Sequence, residues 1–170
     1  LQIARRAVEL IEEGSTIFLG TGTTVEQMAS MLPAFRLRIV TNSLSVFNLL
    51  EEREDCDLCL VGGMYRRRTA AFVGPTAEDT LRALGIDAAF IGANGILDGD
   101  VSTSNMDEGR IQQLAFSKAD SRYLIADSSK IGKRDFYTFC RLDSLDAVVC
   151  EPSISAEDRA AIEEHTQVIC

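Results

Sequence analysis

The chain has 170 residues, 46% of them hydrophobic, 25% charged and 6% aromatic, a composition that can bury one core and that excludes a disordered tail. A formal net charge of -9 repels phosphate backbones instead of releasing their counterions, so this segment is not expected to hold DNA by itself. No apolar run approaches the roughly 20 residues of a membrane helix, and the opening LQIARRAVELIEEG is charged and helical rather than signal-like, which excludes a membrane partner.

Five cysteines, an odd number scattered among apolar neighbours, suit free thiols in a reducing compartment, and a cytoplasmic location is expected. The first predicted element is a helix over residues 1–13, with Ile3, Ala4, Ala7, Val8 and Ile11 on one face and Gly14 placed to cap its end. Strand-length apolar runs then recur at 16–19, 38–41, 58–61, 88–91, 123–126, 147–150 and 168–170. Helical patterns at 25–32, 45–52, 76–84, 107–118 and 156–165 separate most of them. With no linker composition, internal repeat or low-complexity tract, residues 1–170 read as a single domain. The alternation implies an α/β fold, an open and mostly parallel sheet with helices on both faces. Such sheets bind ligands where their strands end, so the loops after the strands carry the candidate chemistry.

The first strand ends in Gly20, Thr21, Gly22, Thr23 and Thr24, leading into a helix at Val25. Glycines admit close approach, amides at a helix start point outward, and threonine hydroxyls add donors, so this loop reads as an anion cradle; the alternative is a tight turn with a threonine cap. Val25 at the third glycine position excludes a dinucleotide fingerprint, and the lack of a following lysine excludes a P-loop, which leaves a single phosphate.

The second strand ends in Thr41, Asn42 and Ser43, either hydrogen-bonding ligand groups or an N-cap. The third ends in Gly62 and Gly63, followed by Met64, Tyr65, Arg66, Arg67 and Arg68; such a triplet can complete a phosphate site, but the expectation for a charge run is a solvated face. The fourth runs out through Gly92, Ala93, Asn94 and Gly95, where Asn94 either donates to a ligand hydroxyl or folds a turn.

A polar segment at 98–107 reads as a long loop bordering the pocket and as the foremost moving part. Asp107 is placed to cap the next helix, which puts Glu108 in its first turn and Gln112 one turn on, both aimed at the site. The fifth strand ends in Asp127, Ser128, Ser129 and Lys130, where the ammonium pairs either with a phosphate or with a carboxylate such as Asp127. Cys56 and Cys59 form a lone Cys-x-x-Cys, and the only histidine, His165, lies on a distant polar helix, so neither metal nor cofactor is expected.

Taken together, GTGTT, TNS, GG, FIGANGI and ADSSK, in this order at successive strand ends, resemble the effector domain of DeoR-family transcriptional repressors across nearly the whole chain. The resemblance implies a fold similar to ribose-5-phosphate isomerase and glucosamine-phosphate deaminase, and a sensor for a phosphorylated sugar in a repressor of sugar catabolism. It also implies a homo-oligomer that meets operator DNA through an N-terminal winged helix-turn-helix domain, absent from these residues. The stretch STSNMDEGRIQQLAFSKADSRYLIADSSKIGKRDFYTF looks like the lactose phosphotransferase branch, whose effector is tagatose 6-phosphate. The family commonly has an acidic residue where Gly20 stands, and many members have a lysine where Gln112 stands, so both positions alter pocket charge.

Ligand-binding residues are therefore expected at Gly20, Thr21, Gly22, Thr23, Thr24, Thr41, Asn42, Ser43, Gly62, Gly63, Asn94, Gly95, Glu108, Gln112 and Lys130. The alternative is a sugar-phosphate isomerase of the same fold, with Glu108 as base and Asp127 second. The related isomerases carry acids in the loop after the fourth strand, where this chain reads Gly92, Ala93, Asn94, Gly95 and Ile96. A sensor without catalytic residues is therefore the expectation.

Overall fold

The computed structural model describes residues 1–170. Its frame is a seven-stranded sheet made of β1 (Thr16–Leu19), β2 (Leu37–Thr41), β3 (Cys56–Leu60), β6 (Ile86–Gly92), β9 (Ala119–Ile125), β11 (Ala147–Val149) and β12 (Gln167–Ile169). All six pairings are parallel, and the order across the sheet is β12-β11-β9-β6-β1-β2-β3. The central strands are apolar on both sides because both sheet faces are covered, the requirement of a parallel sheet. Two cores result. Helices α1 (Gln2–Val8), α2 (Thr23–Ala29) and α3 (Leu44–Leu50) cover one face with Ile3, Val25, Met28, Val46 and Leu50. Helices α4 (Pro75–Arg82), α5 (Met106–Lys118) and α6 (Ala156–Glu163) cover the other with Leu81, Ile111, Phe116 and Ile162. None of these helices is long and apolar enough to cross a membrane.

The periodicity reading holds for every sheet strand and for the helices that follow them, with three differences. The first helix stops at Val8 rather than near residue 13: short-range bonds from Leu10 N to Ala7 O (3.1 Å) and Ile11 N to Val8 O (3.2 Å) tighten its end. Gly14 lies beyond that end and donates instead to Arg36 O at 2.7 Å. The segment 98–107 is not a long loop, because its first six residues form a hairpin turn and a strand and its last two open α5. Asp98 and Gly99 form the two-residue turn of a hairpin between β7 (Gly95–Leu97) and β8 (Asp100–Thr103). β10 (Tyr137–Arg141) adds a third antiparallel strand to β8. Finally, Asn105, not Asp107, caps α5, its side-chain oxygen accepting from Glu108 N at 3.0 Å.

A further short hairpin, β4 (Met64–Arg66) with β5 (Ala71–Val73), fills the path from β3 to α4. Strands of only three residues carry too little pattern to stand out in sequence.

The small sheet docks on α5 through Tyr137, whose ring lies against Gly109. A Cβ on Gly109 would fall 2.3 Å from Tyr137 Cδ1, so only glycine admits the ring here. Gly109→Ala should therefore lower stability by about 1–3 kcal/mol, although alanine is the better helix former. Urea denaturation measures this, and a midpoint at or above that of the parent chain contradicts the packing account.

Candidate functional site

β1 and β6 are neighbours in the sheet, yet the chain leaves β1 toward α2 on one face and leaves β6 toward α5 on the other. Loops that part in this way open a crevice at the carboxyl ends of the strands. A cavity of about 440 Å³ lies there. Its wall takes Thr21, Gly22, Thr23 and Thr24 from the loop after β1, and Gly92, Ala93 and Asn94 from the end of β6. Asp127 and Lys130 reach it from beyond β9, Glu108 and Gln112 from α5, Thr103 and Ser104 from the end of β8, and Arg67, Arg68, Thr69 and Ala70 from the β4–β5 turn.

The β1 loop turns through Gly22, which caps α2 at φ 115° and ψ 154°, a conformation that disfavours a side chain. No side chain caps this helix start, so its first amides stay available to a ligand.

Glu108 and Gln112 stand one turn apart and are only 4% and 7% exposed. A carboxylate so buried needs a partner, and Arg66 Nε supplies one by donating to Glu108 Oε2 at 3.0 Å. Gln112 donates from Nε2 to Gly92 O at 3.4 Å, while its Oε1 is buried without a partner. An amide oxygen left open beside a cavity accepts a hydroxyl or N–H from whatever fills it.

Lys130 reaches the cavity on a single 3-10 turn, Ser128–Lys130. Asp127 does not pair with it; its carboxylate accepts from Ser129 N at 2.9 Å and caps the turn. Glu151, which the sequence reading passed over, anchors the same turn by accepting from Ser128 N (3.0 Å) and from the Ser128 hydroxyl. The Cys150 thiol donates to Glu151 from the other side at 2.9 Å. Burial works to raise the Glu151 pKa, but the bonds from Cys150 and Ser128 outweigh it and hold the carboxyl at about 2.

Of the residues expected from sequence, Thr21, Gly22, Thr23, Thr24, Asn94, Glu108, Gln112 and Lys130 come together on this cavity. Asn94 already donates from Nδ2 to Asp135 at 2.9 Å. The others lie outside the wall. Thr41 donates to Leu19 O at 2.7 Å, Asn42 to Phe72 O at 3.1 Å, and Ser43 caps α3 by accepting from Val46 N at 3.2 Å. Gly20 sits in the sheet, donating to Phe90 O at 3.0 Å. A Cβ on Gly63 would come within 2.6 Å of Val73 O, and one on Gly95 within 2.5 Å of Lys133 O, so these two serve close packing. Gly62 is exposed and off the wall. Arg67 and Arg68 are exposed, as expected of a charge run, but they also line the cavity. Cys56 and Cys59 pack against opposite cores, so strand alternation keeps them from sharing a metal.

Residues 1–151 match the family model described as the DeoR C-terminal sensor domain. The chain belongs to that family. A lactose phosphotransferase system repressor from Staphylococcus epidermidis is 43% identical to this DeoR sensor domain over 169 residues, 98% of the chain and 67% of that relative. In fold the sensor domain resembles ribose 5-phosphate isomerase A from Methanocaldococcus jannaschii, with a TM-score of 0.54 at 19% identity over 76% of this chain and 52% of that one. It also resembles eIF2B beta from Chaetomium thermophilum, with a TM-score of 0.63 at 12% identity over 97% and 52% of the two chains. The domain thus spans two thirds of the repressor and about half of either structure.

The Glu151 anchor gives the domain an acid-sensitive joint. Its folded pKa of about 2 lies below the ordinary 4.5, so its contribution is complete above the ordinary value and is lost as pH falls toward the folded one. Glu151→Gln should therefore flatten the decline of the thermal midpoint between about pH 5 and about pH 3. Parallel melting curves for parent and variant over that window exclude the anchor.

Proposed function

We propose that the domain senses a phosphorylated sugar, with tagatose 6-phosphate the favoured ligand, and that binding modulates the DNA affinity of a full-length repressor. That repressor carries an N-terminal winged helix-turn-helix domain and acts in the cytoplasm as a homo-oligomer, which presents paired DNA-binding domains to a palindromic operator.

The observation that carries the reading is the meeting of an amide- and threonine-lined loop, a lysine and two buried acceptors on one cavity at the sheet's switch point. In the proposed complex the phosphate sits on Thr21, Gly22, Thr23 and Thr24 with help from Lys130. Glu108, Gln112 and Asn94 hold the hydroxyls. Ligand changes DNA affinity only by preferring one arrangement of the domain over another. The name of the staphylococcal relative agrees with lactose-linked repression.

A second reading, a sugar-phosphate isomerase, is favoured by the fold's likeness to such an enzyme. Against it, the Arg66 guanidinium occupies one oxygen of Glu108, and the loop after β6 supplies no second acid.

Thermal shift across a panel of sugars tests the proposal. A ligand at about 100 times its dissociation constant stabilises by about 2.7 kcal/mol. Tagatose 6-phosphate should give the largest shift and free tagatose almost none, whereas equal shifts mean that the cavity does not read phosphate. Ketose and aldose phosphates should not be interconverted, and turnover abolished by Glu108→Gln transfers the domain to the isomerases.

A further inference from the structure

The β4–β5 turn brings a second cationic element to the cavity. We infer that Arg67, Arg68 and Thr69 form an anion subsite separate from the Thr21–Thr24 loop, and that the cavity takes a sugar with an anionic group at each end, the chemistry of a sugar bisphosphate. The inference rests on the sugar-phosphate reading above and adds a second charge to its ligand.

Three observations carry it. First, both guanidiniums are unpaired. Eight of the chain's 14 arginines hold carboxylates, and Arg5, Arg36, Arg122 and Arg134, which hold none, lie off the cavity wall. Arg67 and Arg68 hold none, yet they line the one cavity that also contains Lys130. Second, Thr69 Oγ1 is buried beside them without a hydrogen-bond partner, a hydroxyl free to donate to an anion.

Third, the turn is held in place rather than left to wander. Leu44 N donates to Ala70 O at 2.9 Å, Phe72 N to Asn42 O at 2.8 Å, and Arg66 is tied to Glu108 at 3.0 Å. An arginine pair on a fixed turn loses less freedom when it closes on a ligand than one on a loose loop.

The sheet sets the spacing. The turn stands over the end of β2 and Lys130 follows β9, with β6 and β1 between those strands. Three strand spacings separate the two flanks, about 14 Å along the sheet edge before the side chains reach inward. The threonine loop leaves β1, next to β2, so a ligand whose first phosphate sits on that loop with Lys130 extends its other end toward the turn. The wall also carries the carboxylates of Glu26, Asp127 and Glu108. Arg66 covers Glu108, which leaves three cations against two open carboxylates in a chain of net charge -9.

Calorimetry with tagatose 6-phosphate and tagatose 1,6-bisphosphate, at one ionic strength, decides the matter. The bisphosphate should bind at least about tenfold more tightly, the return on one additional charge-assisted contact. In the double variant Arg67→Gln, Arg68→Gln that ratio should fall toward one, and Thr69→Val should shrink it without altering charge. A bisphosphate that binds no better than the monophosphate overturns the subsite, and so does a double variant that weakens both ligands by the same factor. Binding of the monophosphate alone sinks only the subsite, whereas failure of both ligands to bind removes the sugar-phosphate reading as well.

Discussion

Two adjacent parallel strands that discharge onto opposite faces of a sheet cannot have their exits bridged by one loop, and the candidate site depends on this constraint. β1 and β6 are that pair. Their divergence opens the crevice, brings the α2 start to one side and α5 to the other, and leaves β9 close enough for Lys130 to enter.

Within that crevice the chemistry is set by how few groups are left free. Glu108 is tolerated in its buried position because Arg66 reaches it from a different element, and that pairing also ties the β4–β5 hairpin to α5. Glu151 performs the corresponding service for the turn that bears Lys130. Of the three buried side-chain polar atoms without a partner, Gln112 Oε1 and Thr69 Oγ1 belong to the wall, as do the first α2 amides, while Arg122 Nε lies elsewhere. A surface whose open valences point inward is shaped for a small polar ligand.

The small antiparallel sheet changes how motion in this domain is understood. The polar stretch after β7 reads as a mobile loop, yet its first half is hydrogen-bonded to β7 and β10 and packed on α5 through Tyr137. The β4–β5 hairpin, by contrast, is joined to the cavity wall by a side-chain ion pair between Arg66 and Glu108.

The architecture is legible in the amino-acid pattern alone. Continuous apolar runs such as Ala88, Ala89, Phe90 and Ile91 are compatible only with strands buried on both faces, and the period of the intervening segments requires helices to cover them. The same pattern also marked the Thr21–Thr24 loop, Glu108, Gln112 and Lys130, because glycine–threonine turns and helix-start acids carry their signal locally. Which strand-end polar residues face the cavity depended instead on how the elements pack. Thr41, Asn42 and Ser43 have suitable side chains, but β1, the β4–β5 hairpin and the start of α3 respectively consume their hydrogen bonds. Arg66, Arg67, Arg68 and Glu151 look like ordinary surface charge until the hairpin folds back over β2 and β11 comes to lie beside β9. Leu19 for Thr41, Phe72 for Asn42, Glu108 for Arg66 and Ser128 for Glu151 lie between 20 and 50 positions away along the chain, and no local pattern encodes an encounter of that range.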